Sequence, residues 1–246
     1  DLETVIIPLI PARPGFDATY KVKYKNKGNT IETATLILDY VDASSDYVLS
    51  TIAPTSQSKG KLFWNLGTIT PFESGEMVIT MNVNSPMETP AVNGGDILSL
   101  IASINGLNTD ETLLDNTFAL RQIVVNSFDP NDKTCLEGNT INPRMIGEYI
   151  HYKIRFENTG TYAAQNIVVK DVIDTTKFDV STLQMTDASH SCVTRITDPD
   201  KVEFIFENIN LPFDDANNDG YVVFKIKTKP TLSVGDIISN FANIYF

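Results

Sequence analysis

The tripeptide Asn26-Lys27-Gly28 recurs as Asn158-Thr159-Gly160, and the surroundings of the two copies match at a shift of 160 − 28 = 132 residues. At that shift Gly15 meets Gly147, Tyr20 meets Tyr152, Val22 meets Ile154, Tyr24 meets Phe156, Asp39 meets Asp171 and Asp42 meets Asp174, with no gap. Further on, Phe63, Pro71 and Phe72 meet Phe204, Pro212 and Phe213 at a shift of 141, and Gly95-Asp96-Ile97 meets Gly235-Asp236-Ile237 at 140. A 246-residue chain that repeats itself in this way is expected to build one module twice, with loops absorbing the changes of shift.

Each copy reads as strands. Tyr20, Val22 and Tyr24 alternate with lysines, and Met77, Ile79, Met81 and Val83 alternate with smaller or polar residues. Phe204 and Phe206 alternate with Glu203, Ile205 and Glu207. A period of two means a pleated strand with one buried face, and no stretch carries a helical period. Turn formers such as Gly94-Gly95 and Asn218-Asp219-Gly220 cut the chain into short runs, the pattern of an antiparallel sandwich rather than a parallel sheet. The expected fold class is all-β, with two tandem antiparallel β-sandwiches of about seven strands each, related by internal duplication. The boundaries fall at residues 1–125 and 135–246, joined by a polar linker at 126–134. The recurring aromatics, with Trp64, are assigned to the cores. Gly28 and Gly160 are read as turn residues free to take positive φ. The first copy ends on a strand from Thr117 to Val125 that has no counterpart in the second, so the second is expected to lack its final strand and to expose an edge.

Composition removes several function classes. Nineteen Lys and Arg against 31 Asp and Glu give a formal charge of −12, which repels nucleic acid and anionic lipid surfaces. No apolar run approaches the ~18 residues of a membrane span, so no membrane insertion is expected. Two histidines, His151 and His190, and two cysteines, Cys135 and Cys192, leave little material for triads, zinc sites or thiol chemistry. The cysteines show no metal-ligand spacing and read as buried free thiols or as one disulfide. His151, between Ile150 and Tyr152, reads as a surface or cross-strand residue, and His190 as a loop or strand-end residue.

Calcium is the one cofactor for which the sequence offers ligands. Asp129-Pro130-Asn131-Asp132 resembles the Asp-x-Asn-Asp linkers of cadherins, and a hinge between domains can gather the six to eight hard oxygens that calcium prefers. The same residues equally make a turn in which Pro fixes φ and Asx side chains bond local amides. Asp215-Ala216-Asn217-Asn218-Asp219-Gly220, with Asp214 before it, has the spacing of the first half of a calcium loop. The twelfth position is Ile226, so the bidentate glutamate of an EF-hand is missing, and an acidic hairpin turn reads as well.

The pattern Tyr-x-Ile/Val-x-Phe/Tyr-x-Asn-x-Gly, ahead of Asp39-Tyr40-Val41-Asp42 or Asp171-Val172-Ile173-Asp174, resembles the immunoglobulin-like conserved-repeat domains of bacterial surface proteins. Residues 127–246 also carry Ser127 to Gly138, Ile150 to Gly160, Phe204 to Pro212 and Ala242-Asn243-Ile244-Tyr245-Phe246. These blocks resemble the module that precedes the C-terminal sorting domain in secreted proteins of flavobacteria and relatives. The resemblance implies a cargo of the type IX secretion system, exported to the cell surface or the medium, with no catalytic residues. The expected role is a structural stalk or spacer within a larger parent chain, its partners being that chain and the secretion machinery or a surface ligand. The alternative is an adhesin-type module that binds glycan or protein through loops or a sheet face. The same context makes Thr175, in Asp174-Thr175-Thr176, a candidate for O-glycosylation.

Overall fold

Strand β2 (Asp17–Asn26) buries Ala18, Tyr20 and Val22 while Thr19, Lys21 and Lys23 on the other face are only half-buried, the alternation that a sheet covered on one face imposes. The computed structural model describes residues 1–126, 131–197, 199–214 and 217–246. The chain divides into two compact units, Asp1–Phe128 and Asp129–Phe246.

In unit one, β1 (Leu2–Pro8), β2, β7 (Ser74–Val83) and β4 (Ser45–Ser50) form one sheet in that order. The other sheet runs β5 (Ser56–Ser58), β6 (Lys61–Ile69), β3 (Glu32–Tyr40), β8 (Ile97–Asn105), β9 (Thr117–Ile123). Unit two repeats this plan. Its first sheet is β10 (Asp132–Cys135), β11 (Tyr149–Glu157), β16 (Asp219–Thr228), β13 (Phe178–Ala188), and its second is β14 (Val193–Thr197), β15 (Lys201–Phe206), β12 (Ile167–Val172), β17 (Ala242–Tyr245). All pairings are antiparallel, and no α-helix occurs among the described residues. The fold is thus all-β, with four antiparallel sheets making two immunoglobulin-like sandwiches. Tyr20 and Tyr152 both lie in the second strand of a first sheet, on β2 and β11.

The two units also share local devices. Asn26 donates to the carbonyls of Thr30 and Ile69 and accepts from Gly28 N; Asn158 donates to Tyr162 and Leu211 and accepts from Gly160 N. The turns are present, but contrary to the expectation of positive φ neither Gly28 nor Gly160 has it. Their need for glycine is spatial: a Cβ on Gly160 would stand 3.0 Å from Asn158 Oδ1, and one on Gly28 would stand 3.2 Å from Asn26 Oδ1. Gly15 and Gly147, by contrast, both occupy the left-handed region, at φ 78° and 83°.

The repeat slips by one residue after the Asn-x-Gly turn. Leu36 pairs with Ile104 and Leu38 with Ala102, while Val169 pairs with Ile244 and Asp171 with Ala242. The structural partner of Asp171 is therefore Leu38 and not Asp39, because the segment from Gly160 to Asp171 is one residue longer than that from Gly28 to Leu38. Likewise Phe204, opposite Val169, corresponds to Trp64, opposite Leu36, and not to Phe63. Residues 132–134, expected in the linker, form most of β10 and pair with β11. Strand β8 is flanked by β3 and β9, whereas β17 pairs with β12 alone among the described residues.

Candidate functional site

The second sheet of unit two has one face in the core and one in solvent. On β12, Ile167, Val169 and Asp171 point inward, so Val168, Lys170 and Val172 face outward. Pairing then lays out cross-strand rows. Val193, Ile205, Val168 and Tyr245 form one, with Val193 61% and Tyr245 52% exposed. The next is Arg195, Glu203, Lys170 and Asn243. Within it Arg195 Nε lies 2.9 Å from Glu203 Oε2 and Lys170 Nζ lies 3.1 Å from Glu203 Oε1. Hydrogen bonds from Arg195 and then Lys170 hold the Glu203 carboxyl below its usual range. Lys170 Nζ also sits 5.1 Å from the Tyr245 ring centroid, a cation–π contact. The following row holds Thr197, Lys201 and Val172, and Phe241, just before β17, is 80% exposed. Such a face can hold a partner by apolar and aromatic contact around a fixed ion-pair row.

The other candidate residues are not drawn together. Asp129 and Asp215 lie outside the described residues. Asp132 receives Arg155 in a two-pronged ion pair, Nε to Oδ1 and a terminal nitrogen to Oδ2, both at 2.6 Å, and also accepts from Thr134 Oγ1. Asn131 Oδ1 accepts from Glu157 N at 3.2 Å. Asp214 Oδ1 accepts from Asn217 Nδ2 at 2.9 Å, and Asp219 opens β16 opposite Glu157. Among the described residues no group of three or more His, Cys, Asp or Glu side chains stands in a metal-holding cluster. Thr175 is exposed in the 174–177 turn, where Asp174 Oδ1 accepts from Thr176 N and Oγ1.

His151 is buried rather than at the surface: its Nδ1 lies 2.7 Å from Glu137 Oε1, and its backbone N donates to the same carboxylate. Cys135 Sγ donates to Glu137 Oε2 at 3.3 Å. The carboxylate therefore stands between the thiol and the imidazole, and burial together with Glu137 pushes the thiol far above its usual range, so it stays protonated. His190 Nδ1 meets Ser189 Oγ at 2.8 Å, and burial lowers its pKa. Both cysteines are free, with burial pushing Cys192 up to about 11.

A polar group the sequence did not reveal lies inside unit two. Lys133, on β10 opposite Ile154, extends across the sandwich to an ion pair with Asp171 on β12, and the two side chains are only 6% and 0% exposed. The ammonium lies over the rings of Tyr152 and Phe224, at 4.8 and 5.2 Å. Burial pulls the Lys133 pKa down to about 8 against the upward pull of Asp171, and burial likewise raises Asp171 despite Lys133. Glu137, Lys133 and Asp171 all read as ordinary strand or loop residues, so spacing alone gave no signal for them.

Residues 129–246 match the family model described as "Domain of unknown function (DUF7619)". No curated protein matches the chain by sequence. Among solved structures, the collagen adhesin CNA from S. aureus is similar at 14% identity over 99% of this chain and 93% of that one, with a TM-score of 0.27. The Enterococcus faecalis MSCRAMM ACE is similar at 10% identity over 98% of this chain and 92% of that one, with a TM-score of 0.29. The major pilin SpaD from Corynebacterium diphtheriae is similar at 12% identity over 88% of this chain and 57% of that one, with a TM-score of 0.33.

Proposed function

We propose that this chain is a non-catalytic structural module of a bacterial surface or secreted protein, a pair of sandwiches that spaces and presents the rest of its parent chain. The observation that carries the reading is the duplicated topology, in which the eight strands described in unit two match β1 to β8 of unit one, with its aromatics turned into the two cores. Trp64, Tyr20, Phe156, Phe204 and Phe224 are each at most 1% exposed. Cys135 and His151 share the Glu137 carboxylate, with the thiol held protonated, and His190 bonds Ser189. Export as a cargo of the type IX secretion system is the finer form of the proposal, supported by the sequence blocks at 127–160, 204–212 and 242–246.

A second reading is favoured by the outer rows of unit two: adhesion to glycan or protein through Val193, Tyr245, Val172 and Phe241. Biolayer interferometry of the immobilised chain against a panel of glycans and matrix proteins separates the two. A spacer gives no saturable binding. Saturable binding that Tyr245→Ser and Phe241→Ser abolish overturns the spacer reading in favour of adhesion.

A further inference from the structure

The two units invite a position-by-position comparison of their cores. Lys133 is paired with Ile154 as Ile6 is paired with Val22, so Lys133 stands where unit one has Ile6. Asp171 stands where unit one has Leu38. Asn240, two residues before Ala242, stands where unit one has Leu100, two residues before Ala102. In unit one these three places are apolar and buried, with Ile6 and Leu38 at 0% and Leu100 at 3% exposure. Unit two replaces all three with an amine, a carboxyl and a carboxamide. Replacing core hydrophobes by a buried ion pair costs stability in general, so an isolated triplet of this kind needs a reason.

Register and alternation direct the three side chains toward one place in the core. Lys133 meets Asp171 directly. Ile238, Ala242 and Ile244 all pack on the core of unit two, so the alternation of this segment turns Asn240 to the same inward side. Asp171 is opposite Ala242, so Asn240, in the segment that leads into β17, stands at the diagonal position, about 7 Å away backbone to backbone if the extended course continues and within side-chain reach. Both amide atoms of Asn240 are buried without a hydrogen-bond partner, as is Asp171 Oδ1. A carboxamide left unsatisfied beside an amine and a carboxyl is a set of reactants, held in a site from which water is excluded.

We infer that Lys133 and Asn240 join in an intramolecular amide bond, with Asp171 as the acid–base group that promotes it. Asp171 takes a proton from the Lys133 ammonium, the freed Nζ lone pair attacks Asn240 Cγ, and Asp171 passes that proton to the carboxamide oxygen as the tetrahedral centre forms. Asp171 then carries a second proton from Nζ to Nδ2, the Cγ–Nδ2 bond breaks, the hydroxyl proton passes through Asp171 to the departing ammonia as the carbonyl reforms, and ammonium leaves. One N–C bond forms and one breaks, Asp171 returns to its starting state, and nothing is oxidised or reduced. The Tyr152 and Phe224 rings keep water from competing for the carbonyl.

Intact mass spectrometry of the purified full chain tests this. The expected mass lies about 17 Da, one ammonia, below that of the sequence. Tryptic digestion should yield peptide 122–144 joined to peptide 228–246 through Lys133 and Asn240. Lys133→Ile and Asn240→Leu, which install the residues of unit one, should each restore the full mass. Asp171→Asn should restore it while leaving the circular dichroism of a folded β protein. A folded wild-type chain at its full sequence mass overturns the inference, as does a linkage through any other pair of residues. A linked Asp171→Asn chain overturns the role given to Asp171.

Discussion

Asn26 offers a quantitative test of what fixes the turn in each unit. Its buried side chain donates to Thr30 O at 2.8 Å and Ile69 O at 3.2 Å and accepts from Gly28 N at 2.9 Å. Asn26→Ala removes all three bonds and leaves backbone groups that water reaches poorly. At about 1 kcal/mol each, the loss is about 3 kcal/mol. With a urea slope of about 2 kcal/mol per molar, the unfolding midpoint of unit one should fall by about 1.5 M. Trp64 is the single tryptophan, lies in unit one and is 1% exposed, so its fluorescence follows that transition. Asn26→Asp keeps the acceptor but sets a carboxylate against two carbonyl oxygens, so at neutral pH it should be worse than alanine and should recover in part on acidification. A midpoint within about 0.3 M of wild type for Asn26→Ala would refute the reasoning. The equivalent Asn158→Ala should raise amide exchange at Gly160 in unit two by a comparable free energy, read by hydrogen-exchange mass spectrometry.

Other consequences are as direct. A Cβ on Gly220 would fall 2.2 Å from Phe156 Cε2, so Gly220→Ala should destabilise unit two by about 2 kcal/mol, measured by thermal melting; an unchanged melt would sink the packing argument. Burial alone would raise the pKa of Asp110, but hydrogen bonds from Leu2 N, Thr112 N and Asn116 hold it below its ordinary 3.8. A depressed folded-state pKa stabilises above that value and is lost as pH falls through the folded one. The Trp64 midpoint of Asp110→Asn should therefore lie below wild type at pH 7 and converge with it in acid, and a gap constant with pH would count against this account. Cys135 and Cys192 should react slowly with iodoacetamide at pH 8 in the native chain and both titrate in denaturant without reductant; one or no thiol there would mean a disulfide.

The parts of this structure that sequence revealed are those governed by local rules. Period two exposed the strands, and paired glycines such as Gly15 and Gly147 recur because the same left-handed turn recurs. The slip by one residue between Asp39 and Asp171 escaped because both modules keep an aspartate near the strand end, and only the pairing of β12 with β17 shows which faces inward. The Lys133, Asp171 and Asn240 triplet was hidden for the same reason: its members are 38 and 69 residues apart, and each resembles a solvent-facing strand residue until register is known. Glu137 between Cys135 and His151 was likewise a matter of how a loop folds over β11. In the half calcium loop at Asp214 to Asp219, spacing did not show that Asn218 reaches across to Glu157 and to the Asn158 carbonyl while Asp214 bonds Asn217.

Lys133 belongs to the first strand of unit two, and Asn240 lies just before the last. If a covalent bond spans them, tension entering through β10 and leaving through β17 runs along two side chains and bypasses the sheets. The 240 − 133 = 107 residues between them would then be hidden from extension, about 360 Å of contour length. Unit one, with Ile6 and Leu100 in those places, would yield by breaking hydrogen bonds and give up its full length. One chain would thus combine an extensible sandwich with an inextensible one.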